Sequence, residues 1–130
     1  MAGRQTEAEI NESGGECLFV RLDVTVQGDW DRAVGATVSR FGKLNILVNN
    51  AGIGPSRGAD GESIFIENLS EDQWDRVMDV NGKGVFLGTK ACIPEMRRAG
   101  GGSIINISSI AGMVGGTSSA YGPSKGAVRI

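Results

Sequence analysis

Tyr121 and Lys125 stand four residues apart in a chain of 130 residues, a spacing that places a phenol and an amine on one face of a helix. A phenol is a poor base at neutral pH until a nearby cation favours its ionised form, so the pair suits proton transfer to or from a substrate oxygen. Two hydroxyls, Ser108 and Ser109, precede Tyr121 by thirteen and twelve positions, and either could hold that oxygen. The Tyr-x-x-x-Lys pattern alone is a weak signal, because Tyr and Lys also occur together on solvated helix faces. Its meaning depends on the elements that position it.

Other chemistries are excluded first. The chain has no histidine, which rules out a Ser-His-Asp triad and any His-ligated zinc within it. Its two cysteines make a poor metal site, so no metal is expected, and Cys17 and Cys92 read as reduced, mostly buried thiols. Gly122-Pro123-Ser124-Lys125-Gly126 satisfies the G-x-S-x-G spelling of a hydrolase elbow, but that motif requires a strand directly before it and a histidine. A net charge of −2 with no dense Lys/Arg run gives no footprint for nucleic acid. No apolar run approaches the ~18 residues of a membrane span, and the opening residues lack the apolar core of a secretory signal. The expectation is one cytoplasmic domain spanning 1–130, with neither nucleic acid nor membrane as partner.

In chain order, residues 5–11 read as a helix tail closed by Ser13-Gly14-Gly15. Residues 17–22 form a short apolar run expected as a first strand, with Asp23, Val24 and Thr25 as its polar exit. Apolar residues from Trp30 to Phe41 recur at three and four positions and predict an amphipathic helix over 29–41, stopped by Gly42. Residues 44–48 predict a second strand, ending in Asn49-Asn50-Ala51-Gly52. A loop over 53–68 with a short turn near Ile64–Ile66 follows. Ser70 and Gln73 spell a capping box at the head of a long helix from about Glu71 to Arg98, which Pro94 is expected to kink. Gly100-Gly101-Gly102 stops it, residues 103–108 predict a third strand, and a last helix begins near Ser119 or Ala120 after a small-residue loop. Strands alternating with helices indicate an α/β fold with a parallel sheet, here of three strands.

Taken together, Asn49-Asn50-Ala51-Gly52 at one strand end, Asn81 within a helix, Ser108-Ser109 at the next strand end, and Tyr121 with Lys125 resemble the ordered set of the short-chain dehydrogenase/reductase family. The segments Asp79–Phe86 and Ile105–Gly112 share the likeness, which covers practically the whole chain. The resemblance implies a partial Rossmann-like, doubly wound parallel sheet for the three strands, and catalytic roles for Asn81, Ser109, Tyr121 and Lys125. Tyr121 is the general acid/base, and Lys125 lowers its proton affinity and binds the nicotinamide ribose. Ser109 holds the substrate oxygen, and Asn81 anchors a water linking Lys125 to solvent. Family spacing from Ser to Tyr is thirteen, which fits Ser108, whereas the Ser-Ser-Ile-Ala-Gly run favours Ser109 with one residue lost from the following loop.

For the cofactor, NAD or NADP, the resemblance implies contacts from Asp23 and Val24 to adenine and from Asn50, Ala51 and Gly52 past the ribose, besides Tyr121 and Lys125. Asn49 is expected to be structural, bridging strand ends. The substrate class is a small secondary alcohol or ketone, and the intact protein is expected to be a homo-oligomer, a dimer or tetramer. A dinucleotide site also needs a glycine-rich turn that cradles the pyrophosphate, and no G-x-x-x-G-x-G stretch is present. The chain therefore reads as an internal fragment of the family's dinucleotide-binding domain, with a catalytically inert or oligomerising remnant as the alternative. In the family's strand order, residues 17–22 lie two strands away from residues 44–48, so only the second and third strands should pair.

Overall fold

A computed structural model of the chain describes residues 2–55, 57–114 and 120–130. Its elements in order are α1 (Ala2–Glu12), α2 (Gln27–Phe41), β1 (Ile46–Asn49), α3 (Glu71–Met78), a π-helical turn (Asp79–Lys83), α4 (Gly84–Arg98), β2 (Ser103–Asn106), a 3-10 turn (Ile110–Gly112) and α5 (Tyr121–Arg129). The boundaries follow local chemistry. Gly42 ends α2 in the left-handed conformation and returns its N–H to the Val38 carbonyl. At the head of α3 the Ser70 hydroxyl accepts from the Gln73 N–H, and the Gln73 side chain accepts from the Ser70 N–H. This is the reciprocal capping box expected from the sequence. The expected turn near residue 65 is a 3-10 turn at Ile66–Asn68, and residues 115–119 of the expected small-residue loop lie outside the described residues.

β1 and β2 run parallel, with Ile46 opposite Ser103, Leu47 opposite Ile104, Val48 opposite Ile105 and Asn49 opposite Asn106. Successive strand side chains point to opposite faces, and here the two faces differ sharply. Leu47 and Ile104 turn into a core built with Trp30 and Val34 of α2 and with Leu87, Cys92 and Met96 of α4. α4 comes so near that a Cβ on Gly88 would stand 2.7 Å from both Asn49 Oδ1 and the Trp30 ring, which explains a glycine in mid-helix. Burial pushes the Cys92 thiol up from its ordinary value, and both cysteines are free.

Two expectations are corrected. Residues 17–22 form no strand, so the sheet has two strands among the described residues rather than three. The physical reason is that no strand lies beside them, and side chains take over the backbone groups that a neighbouring strand would satisfy. Asn11 accepts from Cys17 N–H at 2.8 Å, Glu7 from Phe19 N–H at 2.9 Å and Asp29 from Asp23 N–H at 2.9 Å. The expected pairing of only the other two strands holds.

The long helix also departs from expectation, since its irregularity falls at Asp79–Lys83 and not at Pro94, which lies inside an unbroken α4. Before the wide turn the helix packs against α5, and after it against β1 and α2. The π-helical turn thus sits where one helix changes partners. Such turns concentrate at functional sites.

Two predictions follow from these local interactions. Ser70→Ala removes the capping hydroxyl and should cost about 1 kcal/mol, read as a fall in thermal midpoint of a few degrees by circular dichroism; an unchanged midpoint contradicts the capping role. Hydrogen bonds from Thr25 hold the Asp23 carboxyl below its ordinary 3.8, and the Asp23 N–H does the same for Asp29. Depressed carboxyl values stabilise the fold above 3.8, and that contribution is lost as pH falls through the folded-state values. Protection of the Asp23 and Thr25 amides from hydrogen exchange, corrected for intrinsic rates, should therefore drop as the pH is taken below 3.8, before that of Leu47 and Ile104. Simultaneous loss at all four would remove the special role of these carboxylates.

Candidate active site

Parallel strands deliver their C-terminal ends to one edge, and the candidate residues collect there. Asn49 and Asn106, opposite each other at the last register position, join through a bond from Asn49 Nδ2 to Asn106 Oδ1 at 2.9 Å. Asn49 is buried and donates also to Thr89 Oγ1 on α4. It bridges strand ends, as expected.

Beyond β1 the chain is captured by Asn81 from the π-helical turn. Asn81 Oδ1 accepts the Ile53 N–H at 2.8 Å, and Nδ2 donates to the Ile53 carbonyl at 3.0 Å and to Ser124 Oγ at 2.9 Å. With 1% exposure, the amide thus commits both N–H groups to protein and keeps one lone pair of Oδ1. Gly52, just before the captured residue, lies between this amide and the lysine. A Cβ there would stand 3.3 Å from Asn81 Oδ1 and 3.4 Å from Lys125 Nζ.

Beyond β2 the chain is joined to α5 by a pair of bonds running in opposite directions. Ser108 Oγ donates to the Lys125 carbonyl at 2.7 Å, and Lys125 Nζ donates to the Ile107 carbonyl at 2.7 Å. The 3-10 turn then folds onto the helix, where a Cβ on Gly112 would stand 2.5 Å from the Lys125 carbonyl carbon. Contact this close requires the bare backbone of glycine. Ser109 heads that turn, its Oγ accepting the Ala111 N–H at 3.2 Å. On α5 itself, Lys125 Nζ stands 5.9 Å from the centroid of the half-buried Tyr121 ring. Lys125 is 6% exposed although it carries an amine.

The structure therefore brings Asn81, Gly52, Lys125 and Tyr121 into one group and sets Ser109 on a turn packed against the same helix. The other cofactor candidates separate from them. Val24, Asn50 and Ala51 line a mainly apolar recess of about 120 Å³ with Leu22, Trp30 and Val80, whereas Asp23 faces a neighbouring groove shared with Asp72, Asp75 and Asp79. The expected helix start near Ser119 or Ala120 is realised at Tyr121, with Ala120 as its cap. Sequence reasoning missed Ser124, which is fully buried and donates to the Tyr121 carbonyl at 2.7 Å. The signal was its position three residues after Tyr121, where a serine hydroxyl reaches back to the preceding turn. It also missed Ile53, because a backbone-only partner leaves no mark on residue type.

The recess is lined mainly by apolar residues, Val24, Leu22 and Trp30 among them, with Asn49 and Asn50 as its polar residues. Farther along the same loop, Gly52 brings the chain to the Lys125 amine.

Comparisons with known proteins bear on the family and the fold. The sequence model of the family described as short chain dehydrogenase matches residues 2–130. The chain is 43% identical over 129 residues to cyclopentanol dehydrogenase of Comamonas sp. (strain NCIMB 9872), covering 98% of this chain and 49% of that protein. It is 52% identical over 110 residues to trans-4-hydroxycyclohexanecarboxylate dehydrogenase of Sinomonas cyclohexanicum, covering 83% of this chain and 39% of that one. A crystal structure of NAD+-bound xylitol dehydrogenase superposes with a TM-score of 0.87 at 33% identity, over 98% of this chain and 47% of the other. The chain spans about half the length, or less, of the relatives it matches. With one family model covering residues 2–130 and a fold shared with a solved dehydrogenase, the chain belongs to the short-chain dehydrogenase family.

Proposed function

We propose that this chain is the proton-transfer and adenosine-contacting part of an NAD- or NADP-dependent oxidoreductase that interconverts secondary alcohols and ketones. The observation that carries the reading is the buried Lys125 amine facing the Tyr121 ring at 5.9 Å, at the end of a loop whose other end lines an apolar recess. A bound nicotinamide cofactor supplies the hydride acceptor or donor. Val24, Asn50 and Ala51 would hold its adenosine, and Tyr121 with Lys125 its nicotinamide ribose.

Proton handling falls to this chain's own side chains. In oxidation, Tyr121 Oη takes the hydroxyl proton while the carbinol carbon gives up a hydride; in reduction it returns a proton to the carbonyl oxygen. Ser109 positions that oxygen. The preference over Ser108 is supported by the Ser108 hydroxyl hydrogen already being committed to the Lys125 carbonyl. Asn81 sets the height of the loop at Ile53, and a water on its remaining lone pair would connect Lys125 to solvent. Asp23, beside Val24 but lining the neighbouring groove, would meet the adenine from outside the recess. The names of the relatives reported above, dehydrogenases of cyclopentanol, of a hydroxycyclohexanecarboxylate and of xylitol, support a small hydroxylated substrate. We place the chain in one cytoplasmic domain of a homo-oligomer; no described helix is long and apolar enough to cross a membrane.

A second reading, an inert or associating remnant, draws on the uncovered sheet face, where Ile46, Val48, Ile105 and Ile107 are exposed. Apolar faces of this kind are association surfaces. Fluorescence titration of the 130-residue chain with NADH and NADPH separates the readings: saturable binding supports the first, and none at millimolar cofactor supports the second. In an intact enzyme carrying this segment, Tyr121→Phe should lower kcat by at least about 10²–10⁴-fold, the range of general acid/base catalysis, with cofactor affinity changed little. Turnover near the native rate would remove Tyr121 from the mechanism.

A further inference from the structure

Ser124 is the one fully buried side chain of α5 whose hydroxyl both accepts and donates to named partners. It is 0% exposed, accepts from Asn81 Nδ2 at 2.9 Å and donates to the Tyr121 carbonyl at 2.7 Å. The three groups form a chain with one direction: amide to hydroxyl to backbone carbonyl of the proton-transfer residue. A hydroxyl that accepts one bond becomes a better donor in the next, so the two bonds reinforce each other.

We propose that Ser124 is a positioning residue that transmits the hold of Asn81 to the first turn of α5 and so fixes Tyr121 against Lys125. The inference rests on the reading of Tyr121 and Lys125 as a proton-transfer pair. Three features support it. Tyr121 is the first residue of α5, where the terminal turn frays unless it is tied down. The tie at Ser124 falls in that turn and is anchored in the π-helical turn, a different element. The same amide of Asn81 holds Ile53 through two bonds, so a single side chain sets the loop after β1 and, through Ser124, the backbone that bears the phenol.

Removal of the hydroxyl leaves a buried Asn81 N–H unpartnered and takes away the side-chain bond that the Tyr121 carbonyl accepts. The ring then samples positions farther from the Lys125 amine, and the ionised phenol loses part of its support. The chain contains one tyrosine, so nuclear magnetic resonance of tyrosine labelled at the ζ-carbon follows the ionisation of Tyr121 alone, with no turnover required. Ser124→Ala should move the midpoint of that titration upward by about half a unit or more, a threefold change in the ionisation constant. Ser124→Cys keeps a side chain of the same branching with a slightly larger and weaker donor and should move it less in the same direction; it carries the test if the alanine variant does not fold.

Lys125→Met and Ser70→Ala complete the experiment. The first should raise the midpoint, and the second, which weakens a helix cap elsewhere, should leave it unchanged. A folded Ser124 variant with the native midpoint, beside a raised Lys125→Met, overturns the inference alone. An unmoved Lys125→Met overturns the proton-transfer pairing and the inference with it, and an equal shift in Ser70→Ala shows a general loosening and overturns the positioning role.

Discussion

The side-chain amide of Asn81 is the interaction on which the arrangement of the site depends. Buried to 1% exposure, it cannot exchange a protein partner for water, so losing any of its three partners leaves a polar group unsatisfied at about 1–3 kcal/mol. Those partners lie on the loop after β1 and on α5, two segments that no strand or helix ladder joins. One residue therefore couples the loop that leads to the apolar recess with the helix that carries Tyr121 and Lys125. The π-helical turn supplies the place for it, at the point where the long helix stops facing α5 and begins facing the sheet.

A second coupling works from the other strand. Ser108 and Lys125 exchange bonds with each other's neighbourhood, side chain to backbone in both directions, so β2 and α5 cannot slide without breaking both. The two couplings share α5 and meet near Gly52, where the Asn81 amide and the Lys125 amine approach the same point. Precision at the phenol thus comes from hydrogen bonds between loop and helix more than from hydrophobic packing. The main core, around Trp30, Leu47 and Leu87, fixes the strand ends and leaves the final placement to these polar contacts.

Much of this was legible in the sequence, and the misses have physical causes. The capping box at Ser70 and the helix stop at Gly42 depend on residues within a few positions of one another, whereas the pairing of β1 with β2 and the bridging role of Asn49 were legible through the strand order that the family resemblance implies. The strand expected at residues 17–22 failed because an apolar run specifies burial and not a partner; carboxylate and amide side chains from α1 and α2 took the backbone groups instead. Pro94 was expected to mark the irregularity of the long helix, yet the irregularity follows Asn81, whose long-range partners no local rule can see. Asp23, expected with Val24 at the adenine, accepts two bonds from Thr25 and lines a groove beside the recess, a short-range arrangement that its residue type alone does not reveal. Ser124 went unread because its value comes from Asn81, 43 positions away.

The setting of Lys125 gives the polar contacts their purpose. A buried ammonium ordinarily requires a carboxylate partner, and among the described residues the ion pairs all involve other side chains, on the exposed surface of the helices and turns. Lys125 donates to the carbonyl of Ile107, a dipole that holds the amine in place without cancelling its charge. A carboxylate in that position would give a tighter pair and a weaker field at the Tyr121 ring, because opposite charges close together neutralise each other at a distance. A carbonyl partner keeps the positive charge available to the phenol, and it can do so only if strand end and helix are locked together, which is what the Ser108 bond and the Asn81 amide accomplish.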